Sequence, residues 1–239
     1  YTPTKEELND PEHIVVWYID GNGKAFLVPN GHYDPVSGTV TFTTTHFSCY
    51  AVGYNKTSFR DVTETAWYNK AVGFIAARDI TTGVGNGNFN PQAKLTRGEL
   101  LVLLMRSCGI APDDDPKDNF IDAGDAYYTG YLAAAKRLGI SEGVGKNMFA
   151  PNREISRQEV AVLLYNMLRD TGSLPQPDSA GSLSLGDFSD SAKISAWADD
   201  AMALLVQAGV INGSNGKLNP ASTTTRAEMA QVLYNLLSK

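Results

Sequence analysis

The chain has 239 residues, 26 of them acidic and 20 basic, for a net charge of −6 and an isoelectric point near 5.1. That acidic balance argues against the basic face that nucleic-acid binding needs, and no apolar run is long enough to cross a bilayer. Hydrophobic residues make up 43 % and charged residues 19 %, enough for one or two domains with a core of their own. Two cysteines, Cys49 and Cys108, give no disulfide framework; Cys108 ends an apolar helical pattern and reads as a buried thiol. The sequence opens at Tyr1 with no signal-peptide pattern, so it reads as a processed or cut piece of something longer.

Residues 1–12 are polar. From His13 the period is that of a strand: His13–Ile19, closed by the turn Asp20-Gly21-Asn22-Gly23, then 25–28, 39–43 and 47–54. Four short strands make a β-meander over 1–57 too small to bury a strong core. It reads as the tail of an upstream β-domain, or as a small module leaning on the helical region after it.

From Phe59 the sequence repeats. Phe59-Arg60-Asp61, Phe120-Ile121-Asp122 and Phe188-Ser189-Asp190 each open a unit. An aromatic follows eight or nine residues later (Trp67, Tyr128, Trp197) and begins an amphipathic helix. Asp79, Gly139 and Gly209 stand where such a helix ends in a left-handed residue. Glycine loops starting at Gly83, Gly143 and Gly213 lead to Phe89/Pro91, Phe149/Pro151 and Leu218/Pro220. Three helix–loop–helix units, none able to bury its own face, predict a mainly α, three-part domain around a shared helical spine. The units span 58–110, 119–171 and 188–239, with a Ser/Gly/Pro-rich linker at 172–187.

Each second helix begins with a capping box: Thr96-Arg97-Gly98-Glu99, Ser156-Arg157-Gln158-Glu159 and Thr225-Arg226-Ala227-Glu228. An arginine at N1 opposes the helix dipole. Three such arginines suggest gathered positive charge for an anion, assisted by free helix amides. On this reading they are exposed and add nothing to stability. The bland alternative is a set of surface salt bridges between the arginines and the Phe-x-Asp aspartates. Those aspartates themselves read first as helix caps, and the tryptophans read equally as core anchors.

This order of features, three times over, resembles the S-layer homology family across about 180 residues. The resemblance implies a pseudo-threefold domain with a central three-helix bundle, preceded here by a small antiparallel β segment. It implies non-covalent anchoring at the bacterial cell surface through a secondary cell-wall polysaccharide carrying a pyruvylated amino sugar, bound in grooves between repeats. Carried over by motif, the site residues are Arg97, Arg157 and Arg226, Asp61, Asp122 and Asp190, and Trp67, Tyr128 and Trp197, with Gly83, Gly143 and Gly213 in the loops. The chemistry agrees: a ketal carboxylate suits a guanidinium, sugar faces pack on rings, and glycines allow close approach. No cofactor, metal, nucleic acid or membrane insertion is implied; self-association in a surface layer is left open. Tyr128 in place of tryptophan and Gly98 in place of alanine depart from the pattern.

Two other classes fit the residues less well. A calcium module needs D-x-[DN]-x-[DN]-G loops, which Asp20–Lys24 fails at its fifth place. An enzyme is not expected within this stretch: its three histidines all precede residue 47, and neither H-E-x-x-H nor G-x-S-x-G occurs. An accessory tail of a glycan-active enzyme remains an alternative.

Overall fold

A computed structural model describes residues 1–177 and 183–239. It contains six α-helices and small antiparallel sheets, so the chain is mixed rather than mainly α. The contacts divide it into two compact units: residues 1–92 with 106–109 and 226–239, and residues 93–105 with 110–225. Residues 178–182 of the expected linker lie outside the described part; a short 3₁₀ turn, Leu185–Asp187, comes after them.

The first unit carries the β segment. Strand β1 (Ile14–Ile19) is central, with β2 (Ala25–Leu27) and β5 (Cys49–Tyr54) antiparallel on either side. Between them β3 (His32–Asp34) and β4 (Thr39–Thr41) pair only with each other. The segment is therefore not a meander, because β5 returns to β1 past an independent hairpin; β3, with no β-branched residue, is not among the strands that the sequence pattern predicts. Asp20 Oδ1 accepts from the amides of Asn22 and Lys24 at 2.9 and 2.8 Å, which closes the expected turn.

Ile14, Val15 and Val16 are fully buried in this unit, as is nearly all of α1 (Asn69–Ala77), which packs on α6 (Arg226–Leu237) with Phe74 edge-on to Tyr234. The β segment is locked to α1 by Arg78, which is 2 % exposed. Its Nε donates to the Gly31 carbonyl, Nη1 to those of Glu12 and Phe74, and Nη2 to those of Ile14 and Gly31, all at 2.7–3.0 Å, while its plane lies 3.4 Å over Phe74. Burial pulls its pKa down to about 9. Arg78 is thus answered by backbone from 12, 14 and 31, and Asn55 Nδ2 adds a bond to the Ala77 carbonyl at 2.6 Å.

The second unit holds most of α2 (Arg97–Ser107), with α3 (Thr129–Arg137), α4 (Arg157–Asp170) and α5 (Asp199–Gln207). The capping boxes at 96 and 156 form as expected: Thr96 N–H donates to Glu99 at 2.9 Å, and Ser156 N–H to Glu159 at 3.0 Å. The left-handed C-terminal residues are also where the sequence puts them, with φ of 54° at Asp79, 73° at Gly139 and 63° at Gly209. Cys108, just past α2, is a free thiol whose pKa burial pushes up.

The residues just before the boxes close a ring of backbone hydrogen bonds. Leu95 N–H donates to Thr224 C=O at 2.9 Å, Thr224 N–H to Ile155 C=O at 3.0 Å, and Ile155 N–H to Leu95 C=O at 3.1 Å. Leu95 and Ile155 are fully buried and Thr224 is 3 % exposed, with its Oγ1 buried and unpartnered. A buried hydroxyl without a partner costs about 1–3 kcal/mol. Thr224→Val, which keeps the shape and removes the hydroxyl, is therefore expected to raise the melting temperature by several degrees. A melt that moves down would mean the hydroxyl is satisfied in solution.

Candidate functional site

Each boxed arginine reaches a proline loop of another repeat. Arg97 Nε donates to Phe149 C=O at 2.9 Å, Arg157 Nε to Leu218 C=O at 2.8 Å, and Arg226 Nε to Phe89 C=O at 2.8 Å. The guanidinium groups of Arg97 and Arg226 also lie 4.7 and 4.8 Å over the Phe149 and Phe89 rings. First grips second, second grips third, and third grips first. Arg97 is 4 % and Arg226 6 % exposed, so the expectation of exposed arginines without a structural part is corrected. The first helix amides are not free either: Arg97 N–H donates to Arg153 C=O and Gly98 N–H to Pro151 C=O, both at 2.9 Å. The same happens at Arg157 and Gln158 with Ser222 and Pro220, and at Ala227 with Pro91.

The Phe-x-Asp carboxylates clamp those same loops. Asp61 accepts from Phe89 and Asn90 amides at 2.8 and 2.7 Å, Asp122 from Phe149 and Ala150 at 2.8 and 2.7 Å, and Asp190 from Leu218 and Asn219 at 2.8 Å each. The second residue of each pair has a left-handed φ of 59°, 58° or 51°, a strained turn that two charge-assisted bonds hold. The aspartates are thus loop clamps, not helix caps. Burial pushes Asp61 and Asp190 up, but the paired amides outweigh it and leave both below the ordinary carboxylate range. Gly83, Gly143 and Gly213 have φ of 77°, 81° and 63°, and a Cβ on any of them would sit under 3 Å from the ring of Phe59, Phe120 or Phe188. These glycines make room first for the chain's own phenylalanine.

Within the second unit one groove, of about 470 Å³, brings together a residue from each repeat: Arg97, Gly143 and Trp197. Asp122, Tyr128, Arg157, Asp190 and Gly213, of the same unit, do not line it. Residues 139–144 line it, as does Trp197, which is 57 % exposed. Arg97 Nη1 lies 3.6 Å from Glu159 Oε1, and Glu159 also holds Arg153 and Ser156. Burial and the charge of Arg153 pull Arg97 below its ordinary pKa, while Glu159 and Asp122 oppose them. Arg169, from the last turn of α4, adds a second guanidinium that the repeat pattern does not single out; its Nε donates to Asp170 at 2.8 Å, and Glu142 also lines the groove. Guanidinium, exposed indole and glycine backbone together suit a polar ring that carries an anionic group.

The aromatic positions need one correction. Trp67 and Trp197 are 61 % and 57 % exposed, two residues before α1 and α5, and are not core anchors. Two residues before α3 stands Tyr127, at 64 % exposure, not Tyr128. Tyr128 is the counterpart of Tyr68 and packs inward: its ring lies where a Cβ on Gly98 would come within 3.1 Å, and its hydroxyl bonds Asn152 at 3.1 Å. Gly98 is therefore matched to Tyr128 and Pro151 rather than a mere weak point of α2. Among the described residues no group of three His, Cys, Asp or Glu stands where it could hold a metal ion, and no helix is long and apolar enough to cross a membrane.

Three helix–loop–helix copies, each gripping another's loop, define a tandem-repeat module. The profile of the S-layer homology domain matches residues 58–101, 121–161 and 187–230, more than half of the sequence, and the chain belongs to that family. It is 34 % identical over 98 % of its length to an amylopullulanase of Thermoanaerobacterium thermosulfurigenes, a match that takes in the β segment. It is 33 % identical over 70 % of its length to the surface-layer 125 kDa protein of Lysinibacillus sphaericus, and 28 % over 85 % to an S-layer protein of Bacillus thuringiensis subsp. finitimus. The chain spans 12 %, 14 % and 24 % of those proteins. These matches assign it to the cell surface, as a cell-wall-associated extracellular segment.

Proposed function

We propose that the chain anchors the protein it belongs to, without a covalent bond, by holding a pyruvylated secondary cell-wall polysaccharide in grooves between repeats, and that it performs no catalysis itself. The observation that carries this reading is the meeting of Arg97, Gly143 and Trp197, one from each repeat, in a single groove. A pyruvate ketal would place its carboxylate toward the Arg97–Arg169 side and its sugar ring against the indole. The cyclic grip of the arginines and the ring through Leu95, Ile155 and Thr224 support a pseudo-threefold arrangement of repeats 58–110, 119–171 and 188–239 around a helical centre. Residues 1–57 fit the tail of an upstream β-domain that is docked on the first repeat by Arg78.

The match to an amylopullulanase, and to an exoglucanase and an endoglucanase, favours a second form of the same reading, in which this anchor is the tail of a glycan-active enzyme. The test is co-sedimentation of the chain with purified cell walls. It is expected to pellet with pyruvylated walls and to stay in solution with walls stripped of pyruvate or of the whole polymer. Equal pelleting with intact and pyruvate-free walls would remove the carboxylate from the reading, and no pelleting with either would remove anchoring.

A further inference from the structure

In the unit formed by residues 1–92, 106–109 and 226–239, a second cavity of about 450 Å³ opens between the β3–β4 hairpin, α1 and the end of α6. The hairpin register sets His32 opposite Thr41 and Asp34 opposite Thr39, so these four side chains share one face, and all four line the cavity. A strand face turned toward the body of a protein is ordinarily apolar. Here it is entirely polar, on a two-stranded ribbon too short to stand without support. The facing wall carries the Phe74 and Tyr234 rings, 5.2 Å apart, with Lys70 beside them.

The charges around the cavity are already answered by protein groups. Glu12 and Lys70 pair at 3.5 Å. Asp34 accepts from the amides of Val36 and Ser37 and from the Ser37 hydroxyl. Arg78 gives its five bonds to carbonyls, and Lys239 is exposed at the rim. Such a wall has little pull on a free anion. It does offer hydroxyls, an ammonium, a phenol and an imidazole next to aromatic surface. We propose that this cavity binds a neutral saccharide of one or two rings, its hydroxyls on Thr41, Lys70 and His32 and its apolar face on Tyr234. The volume suits a ligand of that size, and the mixture of rings with satisfied charges fits a polyol better than a phosphate or a lipid. The proposal stands whether or not the groove at Arg97 binds a pyruvylated polymer.

The experiment is an amide-resolved NMR titration of the whole chain with chitobiose, cellobiose and maltose, and in separate arms with glucuronate and inorganic phosphate. At least one neutral disaccharide is expected to shift the amides of His32, Thr41, Lys70 and Tyr234 saturably. Thr41→Val and Lys70→Met, both at exposed positions and so compatible with folding, are expected to weaken that binding about tenfold. Trp197→Ala is expected to leave it unchanged. No saturable shift with any of the three neutral sugars, shifts with glucuronate or phosphate alone, or sugar shifts that neither variant weakens would each overturn the proposal.

Discussion

Arg97→Ala is expected to lower both stability and binding, and the two losses can be separated. The side chain is 4 % exposed and gives its Nε to Phe149 C=O at 2.9 Å. Truncation leaves that carbonyl without its donor and Glu159 with Arg153 as its remaining guanidinium partner. An orphaned buried acceptor costs about 1–3 kcal/mol, which in a chain of this size lowers the melting temperature by roughly 2–12 °C. Arg97→Lys keeps the charge but loses the planar fork and the contact over Phe149, so it is expected to fall between wild type and alanine in stability. Binding is measured at a temperature where every variant is folded. Affinity of Arg97→Ala for the pyruvylated amino sugar is expected to drop at least about tenfold, because a charge-assisted contact is worth about 1.5–3 kcal/mol. Affinity for the same sugar without pyruvate is expected to change little. Equal losses for both sugars would make Arg97 a positioning residue for the Phe149 loop and nothing more.

That double role marks the limit of what the sequence discloses. Capping boxes, helix ends at Asp79, Gly139 and Gly209, and the threefold order of motifs are local patterns, fixed by residues within a few positions of one another. They are legible because a cap or a left-handed residue depends on its near neighbours. What the arginines do is not local. Their carbonyl partners lie 52, 61 and 137 residues away, so no periodicity points to them, and an arginine at N1 looks exposed until the distant loop is in place. The aspartates look like helix caps for the same reason, since the amides they hold are 27–29 residues downstream. Tyr128 hides Tyr127 because the stretch from the opening phenylalanine to the helix varies in length between repeats, and two adjacent tyrosines fit the spacing almost equally well. Helix start, not distance from phenylalanine, is the ruler that aligns Trp67, Tyr127 and Trp197. Strand β3 is not legible because three residues, His32-Tyr33-Asp34, carry no strand pattern of their own and become a strand only by pairing with β4.

The same distinction yields opposite behaviour from two aromatic residues of the second unit. Trp197 is 57 % exposed and lines the groove with Arg97 and Gly143. Its truncation removes surface area already in water, so Trp197→Ala is expected to change stability by no more than about 0.5 kcal/mol. As the one aromatic wall of that groove it is expected to carry a large share of sugar binding, and its loss to weaken affinity about tenfold or more for the pyruvylated and the unsubstituted sugar alike. Tyr128 is half-buried against Gly98 and Pro151, bonds Asn152, and is absent from the groove lining. Tyr128→Ala opens a void at the start of α2, and truncations of packed aromatics cost up to about 3–5 kcal/mol when burial is complete. For a half-buried ring a loss of about half that is expected, read as a clear drop in the melting temperature, with affinity unchanged at temperatures where the variant is folded. The measurement is a thermal melt and a sugar titration for each variant. Should Trp197→Ala melt early and bind normally while Tyr128→Ala melts normally and binds poorly, the groove at Arg97 is not the sugar site, and the ring that meets ligand is the one at 128.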